Sequence, residues 1–269
     1  MEKRDLPRKL KKSLGQYFLI APHIAEKTAD AAEVSSDDIV LEVGPGGGAL
    51  TRVLLSRARE VVAVEKDFSL IQELKETFAE DVRTGKLTLI HKDILKLDLT
   101  TIELSDRRYK VVANIPYYIT GALIRMLLTA SVQPSVIVLV VQKEIAERVA
   151  KSTKESLLSL SVKAYGAPRY VSTIKRGAFQ PPPKVDSAIL AIENISRGFF
   201  TDVPEDFFFK VLKTGFGSKR KYLMNNLEKI ADKKTLRNAF QKIGLQEGVR
   251  AEDVPLKEWG KLCHFLSKS

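Results

Sequence analysis

Asn114-Ile115-Pro116-Tyr117 is the stretch best equipped for chemistry. The Asn114 side-chain oxygen and a neighbouring backbone carbonyl, that of Ile115 or Pro116, are hydrogen-bond acceptors, and Pro116 stiffens the turn that presents them. Tyr117 adds an aromatic face on which a nucleobase can stack, a contact worth about 1–3 kcal/mol. Such a set suits an exocyclic amine whose lone pair is delocalised into its ring, as at N6 of adenine. Acceptors that hold both amine hydrogens favour attack by the nitrogen without a strong base, so positioning supplies most of the effect. A plain Asn-Pro turn after a strand is the structural alternative.

A second constellation lies upstream. Gly44, Gly46, Gly47 and Gly48 follow the apolar run Ile39, Val40, Leu41 and Val43, and Ala49, Leu50, Val53, Leu54 and Leu55 then recur at helical spacing. Strand, glycine turn and helix in that order form the nucleotide end of a doubly wound sheet. Glu65 stands 21 positions after Gly44, at the tip of the next strand. An acid there commonly takes ribose hydroxyls, which points to an adenosine-type cofactor. Gly44-Pro45-Gly46-Gly47-Gly48-Ala49 also satisfies the looser dinucleotide pattern, so that ligand stays open. Glu42, just before the turn, would repel a pyrophosphate and suit a sulfonium or an ammonium. That favours S-adenosylmethionine.

These residues need a frame. Strands are expected at Ile39–Val43, Val61–Val64, Leu87–Ile90, Val111–Ala113 and Val136–Val141, with helices from Pro22, Ala49, Phe68, around Leu123–Leu128, and at Lys143–Ala150. Strand and helix in alternation give a mostly parallel sheet covered on both faces, with ligands at the carboxyl ends of the strands. Gly44, Glu65, Asp93 and Asn114 all fall at such ends. Two further strands, Tyr170–Ile174 and Val185–Ile192, flank a loop with Pro181, Pro182 and Pro183. The prolines hold Phe179 in a fixed pose, and its polar flanks predict a surface position. From about Arg197 the chain reads as a small helical unit, and Pro255 opens its last helix.

Charge sorts the partners. The chain of 269 residues carries a net charge of +11, and 44% of it is apolar. Residues 1–16 hold six Lys/Arg against two acids, and residues 207–245 hold ten against two. The rest is near neutral, so the basic excess has the shape of a nucleic-acid footprint. No apolar run is long enough for a bilayer and no secretory signal precedes the fold. The one cysteine, Cys263, fits a reducing compartment, and the cytoplasm is expected. His23, His91 and His264 lack ligand spacing, so no metal is expected.

The segments LGQYFL at 14–19, LEVGPGGGALT at 41–51, NIPYYI at 114–119, QKEIAERV at 142–149 and FQPPPKVDSA at 179–188, together with Glu65 and Asp93, resemble the small-subunit (16S-type) ribosomal RNA adenine N6,N6-dimethyltransferases. The resemblance runs from about residue 10 to 195, with a compatible helical tail. It implies a Rossmann-like S-adenosylmethionine-dependent methyltransferase sheet, α/β, mostly parallel with seven strands, followed by a small all-helical domain. Boundaries are expected at 1–13 for a basic arm, 14–196 for the methyltransferase domain and 197–269 for the helical domain.

Cofactor contacts are implied at Tyr17, Leu19, Gly44, Gly46, Glu65, Lys66, Asp93, Ile94 and Asn114, with Glu65 on the ribose and Asp93 on the adenine amine. Asn114, Pro116 and Tyr117 would address the target base, and Phe179 would pack near it. Lys9, Lys11 and Lys12 in the arm and Lys219, Arg220 and Lys221 in the helical domain would grip RNA phosphates. The implied substrate is a pair of adjacent adenosines in a hairpin loop near the 3′ end of small-subunit rRNA, on an immature subunit, with the enzyme a monomer. The chain departs from many relatives at Tyr17, where Asn or His is usual, and at Lys154–Leu157, where a Lys-x-Tyr-Gly segment is usual.

Three rival readings are weighed on the same residues. A single-site adenine methylase of 23S rRNA is disfavoured by the PPPKVDS loop and the helical tail. A non-catalytic assembly or transcription factor is disfavoured by the intact NIPY and Glu65. A nicotinamide oxidoreductase lacks residues to handle a hydride.

Overall fold

The structure, a computed structural model, describes residues 17–268. The arm at 1–13 and its Lys9, Lys11 and Lys12 lie outside the described residues. The strand β1 (Phe18–Leu19) and helix α1 (Pro22–Ala31) lead into β2 (Ile39–Val43), α2 (Ala49–Arg57), β3 (Glu60–Glu65), α3 (Phe68–Thr77), α4 (Ala79–Arg83) and β4 (Leu87–His91). Then come β5 (Tyr109–Asn114), α5 (Thr120–Thr129), β6 (Val136–Gln142), α6 (Lys143–Ala150), α7 (Leu157–Lys163), β7 (Ala167–Ile174), β8 (Phe179–Gln180) and β9 (Ser187–Glu193). The chain closes with α8 (Glu205–Gly215), α9 (Leu223–Leu227), α10 (Lys233–Ile243) and α11 (Leu256–Ser267).

Seven strands form one sheet in the order β4-β3-β2-β5-β6-β9-β7. The pairs β3–β4, β2–β3, β2–β5 and β5–β6 are parallel, and β9 runs antiparallel to both β6 and β7. The expected mostly parallel sheet is therefore present. From β2 the chain builds outward through β3 to one side and through β5 to the other. That reversal opens a crevice at the carboxyl ends of β2 and β5, where open sheets take ligands.

Alternation along each strand splits the sheet's core in two. Leu41, Val43, Val62, Val111 and Leu139 belong to one buried cluster, against which Leu123, Ile124 and Leu127 of α5 pack. Val40, Val61, Ala63, Val112 and Val138 face the other, with Ala25 and Ala29 of α1 and Leu54 of α2. Both faces are dry, which is why the strand sequences read as continuous apolar runs.

The helical segment holds its own cluster around Phe208, Leu212, Phe240, Trp259 and Leu262, and Leu160 and Ala164 of α7 join it. Tyr165 donates its hydroxyl proton to Glu205 at 2.6 Å, tying the end of α7 to α8. The helix α7 was not foreseen. Its start is a capping box: the Ser156 hydroxyl accepts from the Ser159 amide at 3.1 Å while Ser159 Oγ accepts from the Ser156 amide at 2.6 Å.

One expectation is overturned. Phe179 is 2% exposed and packs in the core cluster that contains Leu19, Ile174 and Ile189. The cause is non-local: β8 pairs with β1, placing Leu19 opposite Phe179, and this short ribbon turns the ring inward. The strand expected from Val185 also begins later, at Ser187, and leaves Val185 46% exposed.

Candidate active site

The glycine turn shapes the floor. Gly44 and Gly46 have φ of +69° and +55°, in the left-handed region that side chains disfavour. A Cβ on Gly46 would come within 3.1 Å of the Phe18 ring, so the turn and the β1 segment approach as closely as they do only because that atom is missing. The Gly46 amide donates to Glu65 Oε2 at 3.3 Å.

Glu65 is held from its other side as well. Its Oε1 accepts from the backbone amides of Lys66 at 2.8 Å and Asp67 at 2.9 Å. Burial pushes its carboxyl above the usual range, and the three amides pull the other way. A carboxylate braced this way is rigid, and its remaining lone pairs suit a ribose diol.

Asp93 caps the turn after β4, accepting from the Leu95 amide at 3.1 Å. Its other oxygen accepts from Lys66 Nζ at 2.8 Å, and the lysine holds the carboxyl below its ordinary range. Lys66 and Asp93 are thus ion-paired in the crevice wall, one from the end of β3 and one from the end of β4.

At the end of β5, Asn114 Nδ2 donates to the Tyr17 carbonyl at 3.0 Å. A backbone carbonyl only accepts, so this contact decides which end of the amide carries the nitrogen. The Oδ1 end keeps its lone pairs for a ligand. The Tyr17 and Tyr117 rings stack with centroids 5.4 Å apart, and the Tyr117 hydroxyl shares a 2.6 Å hydrogen bond with Ser187 Oγ. Burial raises the Tyr117 phenol above its ordinary value, so the ring stays neutral. Tyr17 meets Asn114 through its backbone carbonyl, so this contact does not depend on the identity of its side chain.

Glu42 behaves differently from expectation. It is 1% exposed, and neither its Oε2 nor Thr51 Oγ1 has a hydrogen-bond partner of good geometry among the described residues, though the Thr51 hydroxyl is near enough to oppose part of the effect of burial. Burial, with the Glu65 charge acting in the same direction, pushes its carboxyl up to about 8. The glutamate is therefore mostly protonated at neutral pH, where the sequence reading expected a standing negative charge. An orphaned acid beside the glycine turn still fits a cationic ligand, whose arrival would favour the ionised form.

Tyr17, Leu19, Gly44, Gly46, Glu65, Lys66, Asp93, Ile94, Asn114 and Pro116 line one crevice. Tyr117 and Phe179 are not in that lining: Tyr117 lies behind Tyr17, and Phe179 is in the core. Phe18, Lys92, Leu95, Tyr118 and Ile119 also line it and escaped the sequence reading. Tyr118 could have been found, as the second aromatic of the NIPYYI turn. Lys219, Arg220 and Lys221 stand together in the turn between α8 and α9, exposed and without an ion pair to any described residue. Among the described residues there is no cluster of three or more His, Cys, Asp or Glu placed to hold a metal, and no helix is long and apolar enough to cross a membrane.

Comparison with known proteins identifies the family. The family model described as "Ribosomal RNA adenine dimethylase" matches residues 8–268. The ribosomal RNA small subunit methyltransferase A of Dehalococcoides mccartyi (strain CBDB1) is 44% identical over 258 residues, covering 95% of this chain and 88% of that protein. The protein of the same name from Clostridium botulinum (strain Langeland / NCTC 10281 / Type F) is 37% identical over 262 residues, covering 96% and 94%. A dimethyladenosine transferase from Plasmodium falciparum superposes with a TM-score of 0.76 at 27% identity, covering 91% of this chain and 95% of that one. The 23S rRNA methyltransferase ErmE superposes with a TM-score of 0.72 at 25% identity, covering 93% and 99%.

Proposed function

Because the chain belongs to the ribosomal RNA adenine dimethylase family, we propose that it methylates N6 of two adjacent adenosines in the 3′-terminal hairpin loop of small-subunit rRNA, each twice. The protein is an S-adenosylmethionine-dependent rRNA adenine methyltransferase. The finer reading also has it act as a cytoplasmic monomer on immature small subunits. Residues 1–13 and 197–269 would serve to hold RNA around a catalytic domain at 14–196.

The observation that carries this reading is the fixed amide of Asn114. With Nδ2 committed to the Tyr17 carbonyl, Oδ1 is the acceptor left at the crevice. Oδ1 and a carbonyl of the Ile115-Pro116 turn would hold the two hydrogens of a target amine and aim its lone pair. When bound, S-adenosylmethionine supplies an electrophilic methyl carbon. Asn114 Oδ1 and that carbonyl would hold the target nitrogen in line with this carbon, and the amine would lose one proton to solvent on being methylated. Glu65 would hold the ribose, Asp93 the adenine amine, and Gly44 and Gly46 the approach of the donor to the backbone. Lys66 and Ile94 would flank its adenine, with Tyr17 and Leu19 closing the side. Tyr117 would stack on the target base once Tyr17 or the ring itself shifts. Phe179, buried beneath β1, would support that wall and not touch the base.

Loop adenosines are already partly unstacked, which makes their extrusion cheap. The deciding experiment is transfer of labelled methyl from S-adenosylmethionine to unmethylated small subunits, followed by nuclease digestion. Label in N6,N6-dimethyladenosine from the 3′-terminal loop is the expected result. Unlabelled small subunits beside labelled 23S rRNA, supplied in a parallel reaction, would replace the proposal with the 23S reading.

A further inference from the structure

Two neighbouring tyrosines meet different fates at the end of β5. Tyr117 is half-buried, with its ring on Tyr17 and its hydroxyl on Ser187. Tyr118 is 66% exposed, makes no hydrogen bond to a described residue and still lines the crevice, close enough to Lys66 for its oxygen to favour the lysine's charge. It is the most exposed large apolar side chain among the described residues.

Its surroundings share that character. Phe68, Leu95 and Val185 are 58%, 39% and 46% exposed. Phe68 leaves β3, Leu95 follows β4, Tyr118 follows β5, and Val185 precedes β9 beside the end of β6. Four of the six exposed large apolar groups among the described residues thus lie on the sheet edge that holds the crevice, while Ile20 follows β1 and Tyr222 lies in the helical segment. Phe68 is tilted against the His91 ring with centroids 5.3 Å apart, and His91 Nε2 lies 3.2 Å from the Lys66 carbonyl. Lys92 supplies positive charge beside these rings, and Lys66 is paired with Asp93. Aromatic faces interleaved with cations are the makings of a surface for unpaired nucleotides.

Extrusion of a base defines what such a surface must do. When the target adenine leaves the stack, the next base loses the face it rested on. Tyr118 lines the same crevice as Asn114 and Pro116, so its exposed ring borders the place expected for the target base. We propose that Tyr118 is the platform for the nucleotide adjoining the target adenine, replacing the stacking that extrusion removes and favouring a purine there. The inference rests on the assigned rRNA adenine chemistry and adds a positioning residue to it.

The test uses the full chain and a synthetic RNA hairpin carrying the small-subunit 3′-terminal loop, with 2-aminopurine in place of the adenosine next to the target. Wild-type enzyme is expected to quench the 2-aminopurine on binding. Tyr118→Ala should lose that quench and raise KM for the RNA about 5- to 100-fold, the range of one stacking contact, with kcat changed far less. Tyr118→Phe should restore both, because the ring and not the hydroxyl is used. Replacing the adjoining adenosine by uridine should penalise the wild type and leave Tyr118→Ala nearly indifferent. An unchanged KM and quench in Tyr118→Ala, or a Tyr118→Phe variant as impaired as the alanine, overturns the proposal. So does a loss that follows S-adenosylmethionine affinity by calorimetry and not RNA affinity. A wild-type enzyme that neither binds nor methylates the hairpin would instead remove the substrate reading beneath it.

Discussion

The Asn114 side-chain amide donates to the backbone carbonyl of Tyr17 at 3.0 Å, across 97 positions of sequence. This contact orients the acceptor on which amine activation depends. Asn114→Asp would set a second acceptor against that carbonyl, and Asn114→Ala would remove the acceptor altogether. Either change should lower methyl transfer by about 10²-fold or more. Only one half-buried hydrogen bond is lost, about 1 kcal/mol, so the fold should survive. Labelled-methyl assays alongside calorimetric melting check both halves, and turnover within a few-fold of wild type would remove Asn114 from the chemistry.

Glu42 sets a pH dependence. Its carboxyl is raised in the folded protein from 4.5 to about 8. The fold therefore favours the protonated form. The stability this contributes is full below pH 4.5 and is lost as pH rises through about 8. Glu42→Gln keeps the shape without the ionisation. Relative to wild type, the variant should gain on the order of a few kcal/mol between about pH 5 and pH 8. Urea unfolding of the ligand-free proteins across that range reads the difference. Parallel curves would mean that Glu42 is not held neutral by burial. Glu65 is raised in the same direction and its charge acts on Glu42, so Glu65→Gln measured alone and together with Glu42→Gln separates the two contributions.

The last glycine of the turn is structural. Gly48 has φ of +80° and caps α2, and a Cβ there would sit 2.6 Å from Phe78 Cε2. Gly48→Ala should cost about 2–4 kcal/mol, from left-handed strain plus overpacking. Gly121 in α5 has nothing within 4 Å of a built Cβ and serves as the contrast. Gly121→Ala should stabilise by up to about 1 kcal/mol. Equilibrium unfolding of the pair tests the claim, and equal effects would refute it.

The exposed Lys219-Arg220-Lys221 turn should act through phosphates. Changing all three to Gln should weaken RNA binding at low salt and reduce the slope of log K against log salt by about 2. Binding measured over a salt series decides it: an unaltered slope takes the turn out of the interface.

Much of the frame was legible because its signals are local. Apolar runs at Ile39–Val43 and Val136–Val141 read as buried strands and are buried strands. The glycines, Glu65, Asp93 and Asn114 could be assigned to one sheet edge because alternation of strand and helix puts every carboxyl end on the same side. The misplacement of Phe179 has the opposite cause. Its polar, proline-rich flanks describe a surface loop, but a two-residue pairing with Phe18 and Leu19 overrides them.

By itself the sequence determined the strand order's building blocks, the family and the set of polar residues that share the crevice, since residue type, spacing and periodicity act along the chain. Only the tertiary structure decided which end of Asn114 faces a substrate, that Glu42 is held neutral, that Tyr117 is tethered while Tyr118 is exposed, and that Phe179 is core. Those outcomes depend on which distant atoms come within hydrogen-bond reach and on how much water is excluded. Both follow from packing between segments and not from the order of residues within any one of them.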